Sequence, residues 1–372
     1  MGDVSINTKL EIDLEKLTLE NFEEYVNGIT SLIRSDVERE LLEKVSKAQP
    51  MRKLRRSKRE KNILKMRAYI VPKNVSLVSR AGIPIQLSTV ANSAIAKIDS
   101  SRALILLRVA SIGSRFSRTF IASAQEDVDR LMDGMKINAK PLFNTILPYE
   151  SVEDPRIDPE DSSSIYHVRL LFTLKEPYTL TFASRLGGDR RPENLEVVSF
   201  VKDGSAFILR DYRDTFPLNR RMMVVRPFIS EVKIWGIFVG PRSGNVVEFK
   251  ELEPIPDLLP DVDERKTGGN CAVKISSNEY MLIFHAVDRH GIYYHYVALF
   301  NDMGELLAMS TEPIISPSIG VYGGLRPSTV FACGAMLYDD RLLVSAGRDD
   351  EITIIFEGDL EEVLRSLTFL RG

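Results

Sequence analysis

The feature that most constrains this chain is a change of rhythm near residue 68. From there on, short apolar or alternating segments recur roughly every ten residues, separated by turn-forming residues. The candidate strands are 95–98, 103–109, 119–122, 168–174, 179–183, 195–201, 222–225, 233–239, 246–249, 272–275, 281–286, 293–300, 332–337, 342–345 and 352–356. No amphipathic helical period intervenes, which indicates an all-β sandwich, barrel or propeller. Roughly 300 residues of such strands are too many for one sandwich and suit a propeller, in which four-stranded blades of roughly 45–60 residues repeat about an axis. No repeat is visible at the level of residue identity.

Residues 1–65 read differently. Leu19, Phe22, Tyr25, Val26, Ile29, Leu32 and Ile33 recur at helical spacing, with Thr18 or Asn21 placed to cap the start. Ser35-Asp36-Val37-Glu38 has the form of a capping box opening a second helix whose apolar face is Leu41, Leu42 and Val45. The basic stretch from Arg52 to Lys61 is expected to be a solvated helix face or connector, with an arm facing an anion or another subunit as the alternative. The expected division is therefore a helical extension, 1–65, ahead of a β domain, 66–372.

Composition narrows the function classes. Hydrophobic residues are 44% and charged residues 27%, with a formal net charge of −3, which argues against wholesale nucleic-acid or acidic-membrane binding. Cys271 and Cys333 supply neither a disulfide framework nor a zinc-ligand spacing, so a reduced, cytoplasmic protein is expected. Met1-Gly2-Asp3-Val4 does not open a signal peptide, and apolar runs such as 102–107 have strand length. Neither a metal nor an organic cofactor is expected. Gly320-Val321-Tyr322-Gly323-Gly324 lacks the strand–turn–helix frame of a nucleotide site. His167, His290 and His295 read as packed or surface histidines, whereas His285, after Met281-Leu282-Ile283-Phe284, falls at a strand end.

Glu153-Asp154-Pro155-Arg156 gathers two acids and a cation around a proline that interrupts strand pairing. Alone, it is better described by a surface turn with a local ion pair than by a catalytic segment. An acid beside an arginine has its pKa lowered, so a proton-donating role requires compensating burial or a relay.

Several further segments fall in a telling order. Asn92-Ser93-Ala94-Ile95-Ala96 precedes Leu106-Leu107-Arg108-Val109, and Glu153-Asp154-Pro155-Arg156-Ile157 follows. Then come Phe216-Pro217, Val225-Arg226-Pro227, Lys266-Thr267-Gly268-Gly269-Asn270 and Leu282-Ile283-Phe284-His285-Ala286-Val287. Tyr293 to Leu299, Pro313-Ile314-Ile315-Ser316-Pro317, Val330 to Ala335 and Gly347-Arg348-Asp349-Asp350 close the series. In this order they resemble glycoside hydrolase family 130, the inverting β-mannoside phosphorylases and mannosidases. That resemblance implies a five-bladed β-propeller with an N-terminal α-helical extension. It also implies phosphorolysis of a β-mannoside to mannose 1-phosphate, with inorganic phosphate as co-substrate. Asp154 would be the general acid, delivering its proton through a sugar hydroxyl. Arg213, Arg226, Lys266, His285 and Tyr293 would bind phosphate, and Asn92, Arg108, Arg156 and Asp350 would contact the sugar. The sequence departs from the family where 214–226 is shorter than usual, where Asn270-Cys271-Ala272 replaces prolines, and at Ala286 and Ala332-Cys333.

Two other functions remain open on the sequence. An inverting β-mannosidase using water needs a carboxylate base opposite the acid, for which Glu264 is the nearest candidate. A non-catalytic carbohydrate-binding propeller is the third class. Self-association through the N-terminal helices is a further expectation from the resemblance.

Overall fold

The computed structural model describes residues 10–59, 61, 63–79, 81–113, 118–132, 134–172, 177–317 and 324–370; the N-terminal tetrapeptide, Glu60 and Gly320 to Gly323 lie outside them. The described strands form five sheets, almost wholly antiparallel. Each sheet has an innermost strand at one edge: β1 (Leu87–Lys97), β2 (Glu150–Asp158), β3 (Tyr212–Pro217), β4 (Glu264–Lys274) and β5 (Val330–Tyr338). β1 packs against β2, β2 against β3, β3 against β4, β4 against β5 and β5 back against β1, so the sheets are arranged as in a propeller. Strand Arg102–Ser111, next to β1, is buried along nearly its whole length because neighbouring sheets cover both faces. This explains why it reads as a continuous apolar run rather than an alternating one.

The repeat that residue identities hide is present in the backbone. Each inner strand carries a β-bulge, between Ala91 and Ala94, Glu153 and Arg156, Arg213 and Phe216, Gly269 and Cys271, and Ala332 and Gly334. In the first three sheets the first bulged residue, Asn92, Asp154 or Asp214, has a positive φ of 46°, 49° or 53°. Asn and Asp tolerate this conformation better than other side-chain-bearing residues, and a bulge re-aims the side chain it carries. Pro155, which lacks the N–H a regular ladder requires, sits in the bulge of β2. The segment 150–158 is therefore a strand, not a surface turn.

The fifth sheet is completed by strand Lys65–Ile70, which pairs with Ile352–Asp359 some 280 residues later (Ala68 opposite Ile355), where roughly four strands make a blade. The candidate segment 195–201 divides into Asn194–Val197 and Ser199–Lys202, which belong to different sheets.

The N-terminal helices are α1 (Leu19–Thr30) and α2 (Glu38–Ala48). Thr18 and Asn21 cap α1 reciprocally, at 3.2 and 2.8 Å. The capping box read at 35–38 does not form: Val37 occupies the cap position, and Glu38 instead accepts from the Ser230 N–H and hydroxyl. Phe22, Tyr25, Val26, Ile29, Leu41 and Val45 share one core with Phe182, Leu195, Phe200 and Phe249, so this apolar face is covered within the chain. The basic stretch after α2 is a connector without regular structure, largely exposed at Lys53, Arg55 and 57–59 but anchored at Arg52 and Arg56. Arg52 and Arg56 donate to main-chain carbonyls at 256–260 and pair with Asp261 and Glu264, and the Lys53 and Leu54 N–H groups donate to Asp257. No helix of the described residues is long and apolar enough to cross a membrane.

Candidate active site

Two bulges and a turn meet at the acid of the Glu-Asp-Pro-Arg segment. Asp154 Oδ1 accepts from Asn92 Nδ2 at 2.8 Å and from Arg108 Nη1 at 3.1 Å. Arg108 also contacts Glu153 at 2.9 Å and Asp350 at 3.9 Å, and its Nε–H donates to Thr119 Oγ1. One guanidinium therefore serves three carboxylates. Asn92 Nδ2 reaches Asp350 Oδ1 at 3.3 Å, and Asp350 itself has a φ of 55°. Gly347 makes room for this arrangement, since a Cβ there would lie 1.8 Å from Asn92 Oδ1. Burial pushes the Asp154 carboxyl up, but Arg108, Arg156, the Asn92 amide and Arg213 outweigh it and hold the group below its usual range. Burial drives Glu153 the other way, above its usual range, against the pull of Arg108.

Arg156 links this cluster to a second one. It is 1% exposed, donates to the Asp154 and Asn270 carbonyls at 2.9 and 2.8 Å, and pairs with Asp214. Its guanidinium, expected at the sugar, is engaged with buried partners. Asp214 Oδ2 lies 2.9 Å from Arg226 Nε, so one acid joins two buried arginines.

The second cluster collects the expected anion-binding residues. Arg213 and Arg226 stand directly opposite each other on paired strands, despite the shortened segment between them. Both guanidinium groups lie over the Trp235 ring, at 5.3 and 4.7 Å from its centroid. Lys266 donates to Tyr293 Oη at 2.7 Å, and burial, reinforced by Arg226, pulls its pKa down to about 7. His285 is fully buried; burial first, then Arg226 and Lys266, hold its pKa well below the usual value. The ring is therefore neutral. Nδ1–H donates to Asn270 Oδ1 (3.0 Å), which leaves the Nε2 lone pair toward Arg226 Nη1 at 3.4 Å. His285 thus orients a cation instead of supplying one. Gly268 is required here, because a Cβ would meet His285, Arg226 and Asp214 at 2.6–2.8 Å.

Asp214, Asn270 and Trp235 carry this architecture and were not singled out by sequence. An acid or amide at a regular interval would have been the available signal: Asn92, Asp154, Asp214 and Asn270 follow one another at 62, 60 and 56 residues. Glu264, the candidate hydrolytic base, is buried against Arg56 and accepts from the Asp261 N–H, which makes it part of the N-terminal connector's anchorage. His167 stacks on Phe143, and His295 Nε2 accepts from the Ala332 N–H. No group of His, Cys, Asp and Glu that would hold a metal occurs among the described residues.

A cleft of about 1200 Å³ opens beside the acid cluster. Its lining includes Thr119 and Ser151, whose hydroxyls contact Arg108 and Glu153, and the exposed rings of Tyr149 and Phe172.

A propeller-like ring of sheets with a buried acid tied through Arg156 to a set of cations defines a recognisable class. The family described as beta-1,4-mannooligosaccharide phosphorylase, glycoside hydrolase family 130, matches residues 54–368, and the chain belongs to it. Among curated proteins it is similar to a 1,2-beta-oligomannan phosphorylase from Thermoanaerobacter sp. (strain X514), 28% identical over 123 residues, which are 32% of this chain and 40% of that protein. A beta-1,2-mannobiose phosphorylase from the same organism is 36% identical over 74 residues, 19% of this chain and 24% of that protein. The chain thus spans less than half the length of these curated relatives. Among solved structures, the beta-1,2-mannobiose phosphorylase of Listeria innocua in complex with beta-1,2-mannobiose aligns over 82% of this chain and 97% of its own, with a TM-score of 0.58 and 16% identity. A glycosyl hydrolase from Bacteroides ovatus aligns over 83% and 94%, with a TM-score of 0.51 and 13% identity. At these identities the likeness is one of fold.

Proposed function

We propose that this chain is an inverting glycoside phosphorylase, a five-bladed propeller (residues 66–372) with a helical extension (1–65), that cleaves β-mannosides with inorganic phosphate. The supporting observation is the character of the second cluster. Arg213, Arg226 and Lys266 gather there, and the carboxylate once available as a base, Glu264, is held by Arg56. Cations hold a phosphate dianion and neutralise its charge during transfer, whereas water would need a base.

In this reading a phosphate oxygen attacks the anomeric carbon as the bond from that carbon to the glycosidic oxygen breaks. The departing oxygen takes a proton that originates on Asp154, directly or through a sugar hydroxyl, and the products are mannose 1-phosphate of inverted configuration and the shortened chain. Arg213 contributes to the lowered pKa of Asp154, so a dianion beside Arg213 raises it and favours protonation of the acid. Phosphate binding therefore primes both partners. Asn92, Arg108 and Asp350 contact the sugar, Arg156 braces the acid's backbone, and the cleft lined by Tyr149 and Phe172 receives the leaving chain. No cofactor takes part. The free, buried Cys271 and Cys333 support a cytoplasmic setting. Self-association through the helices would use their polar faces, because the apolar ones are covered.

Asp211 favours a second reading, an inverting β-mannosidase. Its carboxyl is raised by burial and lies 3.9 Å from Arg213, with Oδ1 lacking a hydrogen-bond donor. Incubation with β-mannooligosaccharides with and without phosphate separates the two. Sugar 1-phosphate formed only with phosphate is expected, and Asp211→Asn should retain it. Free mannose released without phosphate, and lost in Asp211→Asn, would establish hydrolysis instead.

A further inference from the structure

Two arginines directly opposite each other on paired strands repel, and Arg213 and Arg226 are such a pair. Their counter-charges are incomplete. Asp214 is shared between Arg226 and Arg156, and Asp211 stands 3.9 Å from Arg213. Arg213 Nε is buried without a hydrogen-bond acceptor, and the one acid on Arg226 Nε, Asp214, is divided between two arginines. What both share is the ring of Trp235, on the short strand Ile234–Trp235 paired with Phe228 and Ile229. Phe228 backs that ring at 4.6 Å. An indole face attracts a guanidinium without neutralising it, so it restrains the two cations and leaves their charge available.

We propose that Trp235 is a positioning residue of the anion site, holding the Arg213 and Arg226 guanidinium groups side by side so that both donate to one oxyanion. The proposal rests on the phosphorolysis reading for the identity of that oxyanion as phosphate. A carboxylate in place of the indole would restrain the same cations only by cancelling them. An aliphatic side chain would let them separate.

Trp235 is the chain's sole tryptophan, so its emission reports this site alone. Inorganic phosphate is titrated into the full chain at constant ionic strength, with fluorescence and calorimetry read in parallel. A saturable emission change with the calorimetric midpoint is expected. Trp235→Phe, which keeps a ring, should bind phosphate within about threefold of the parent. Trp235→Leu should raise the phosphate Kd and KM about tenfold or more, with kcat at saturating phosphate little changed. Unchanged phosphate affinity in a folded Trp235→Leu, or phosphate binding that leaves the parent's emission unaltered, overturns the proposal and spares the phosphorolysis reading. Absence of calorimetric phosphate binding in the parent sinks both.

Discussion

The acid cluster and the cation cluster are built on opposite plans. Around Asp154, one arginine faces three carboxylates, and the geometry is set by backbone: Asn92, Asp154 and Asp350 all have positive φ. Around Arg226, cations outnumber acids, and the geometry is set by side chains packed on Trp235, on neutral His285 and into the space left by Gly268. The first plan fixes Asp154, the proposed acid, in a position that tolerates little change. The second keeps charge uncompensated until a ligand supplies the counter-charge. Arg156 and Asp214 are where the two plans meet.

The sharpest way to test this separation is Asp154→Asn, which should lower kcat by about 10²–10⁴-fold and leave phosphate affinity within a few-fold. A comparable loss of phosphate binding would mean that the clusters are not separable. Asp214→Asn should damage both together. It removes the acid shared by two buried arginines, at a cost of about 3–5 kcal/mol in denaturant unfolding, and it should raise the phosphate KM. An undiminished midpoint would show that Arg156 and Arg226 find other partners.

A smaller effect concerns Lys266. Its pKa in the empty site, about 7, lies below the ordinary lysine value, so it is charged below that pH and neutral above it. Bound phosphate restores the charge, and binding then takes up a proton. Between roughly pH 8 and 9.5, phosphate affinity should fall about tenfold per pH unit, the slope for one proton, and Lys266→Met should flatten it. A flat profile in the parent would place the lysine's charge outside the anion site.

The two clusters were unequally legible. The acid cluster was announced by four contiguous residues, and Asn92, Arg108 and Asp350 fell in family order around them. The cation cluster is assembled from strands of two sheets, and its supporting members look ordinary in one dimension. Asp214 stands at the start of a segment noted only for being short, and Trp235 lies in a segment that the structure divides into two strands. The engagement of Glu264 was not legible because its partner, Arg56, is 208 residues away in the chain. The basic stretch is a connector, one of the two forms expected of it, but the anchoring of Arg52 and Arg56 to residues about 200 positions later is visible only in tertiary contacts. Most of the series of short strands was visible, though Ile137–Phe143, Glu150–Asp158 and Tyr212–Pro217 were missed; the repeat was not, because bulges are conformations and five different local sequences adopt them.

The seam of the fifth sheet has a consequence for how the chain is made. Strand Lys65–Ile70 leaves the ribosome long before Ile352–Asp359, about 280 residues later, or roughly 15–60 s at 5–20 residues per second. For that time it is an unmatched edge, and Lys65 and Arg67 place charge along it, which discourages pairing with other nascent chains. Arg67 later joins Glu357 at 3.0 Å, so the residue that guards the edge during synthesis becomes part of its clasp. A translation product cut short anywhere before residue 352 cannot close, and it advertises its incompleteness as an open strand to the cell's proteases.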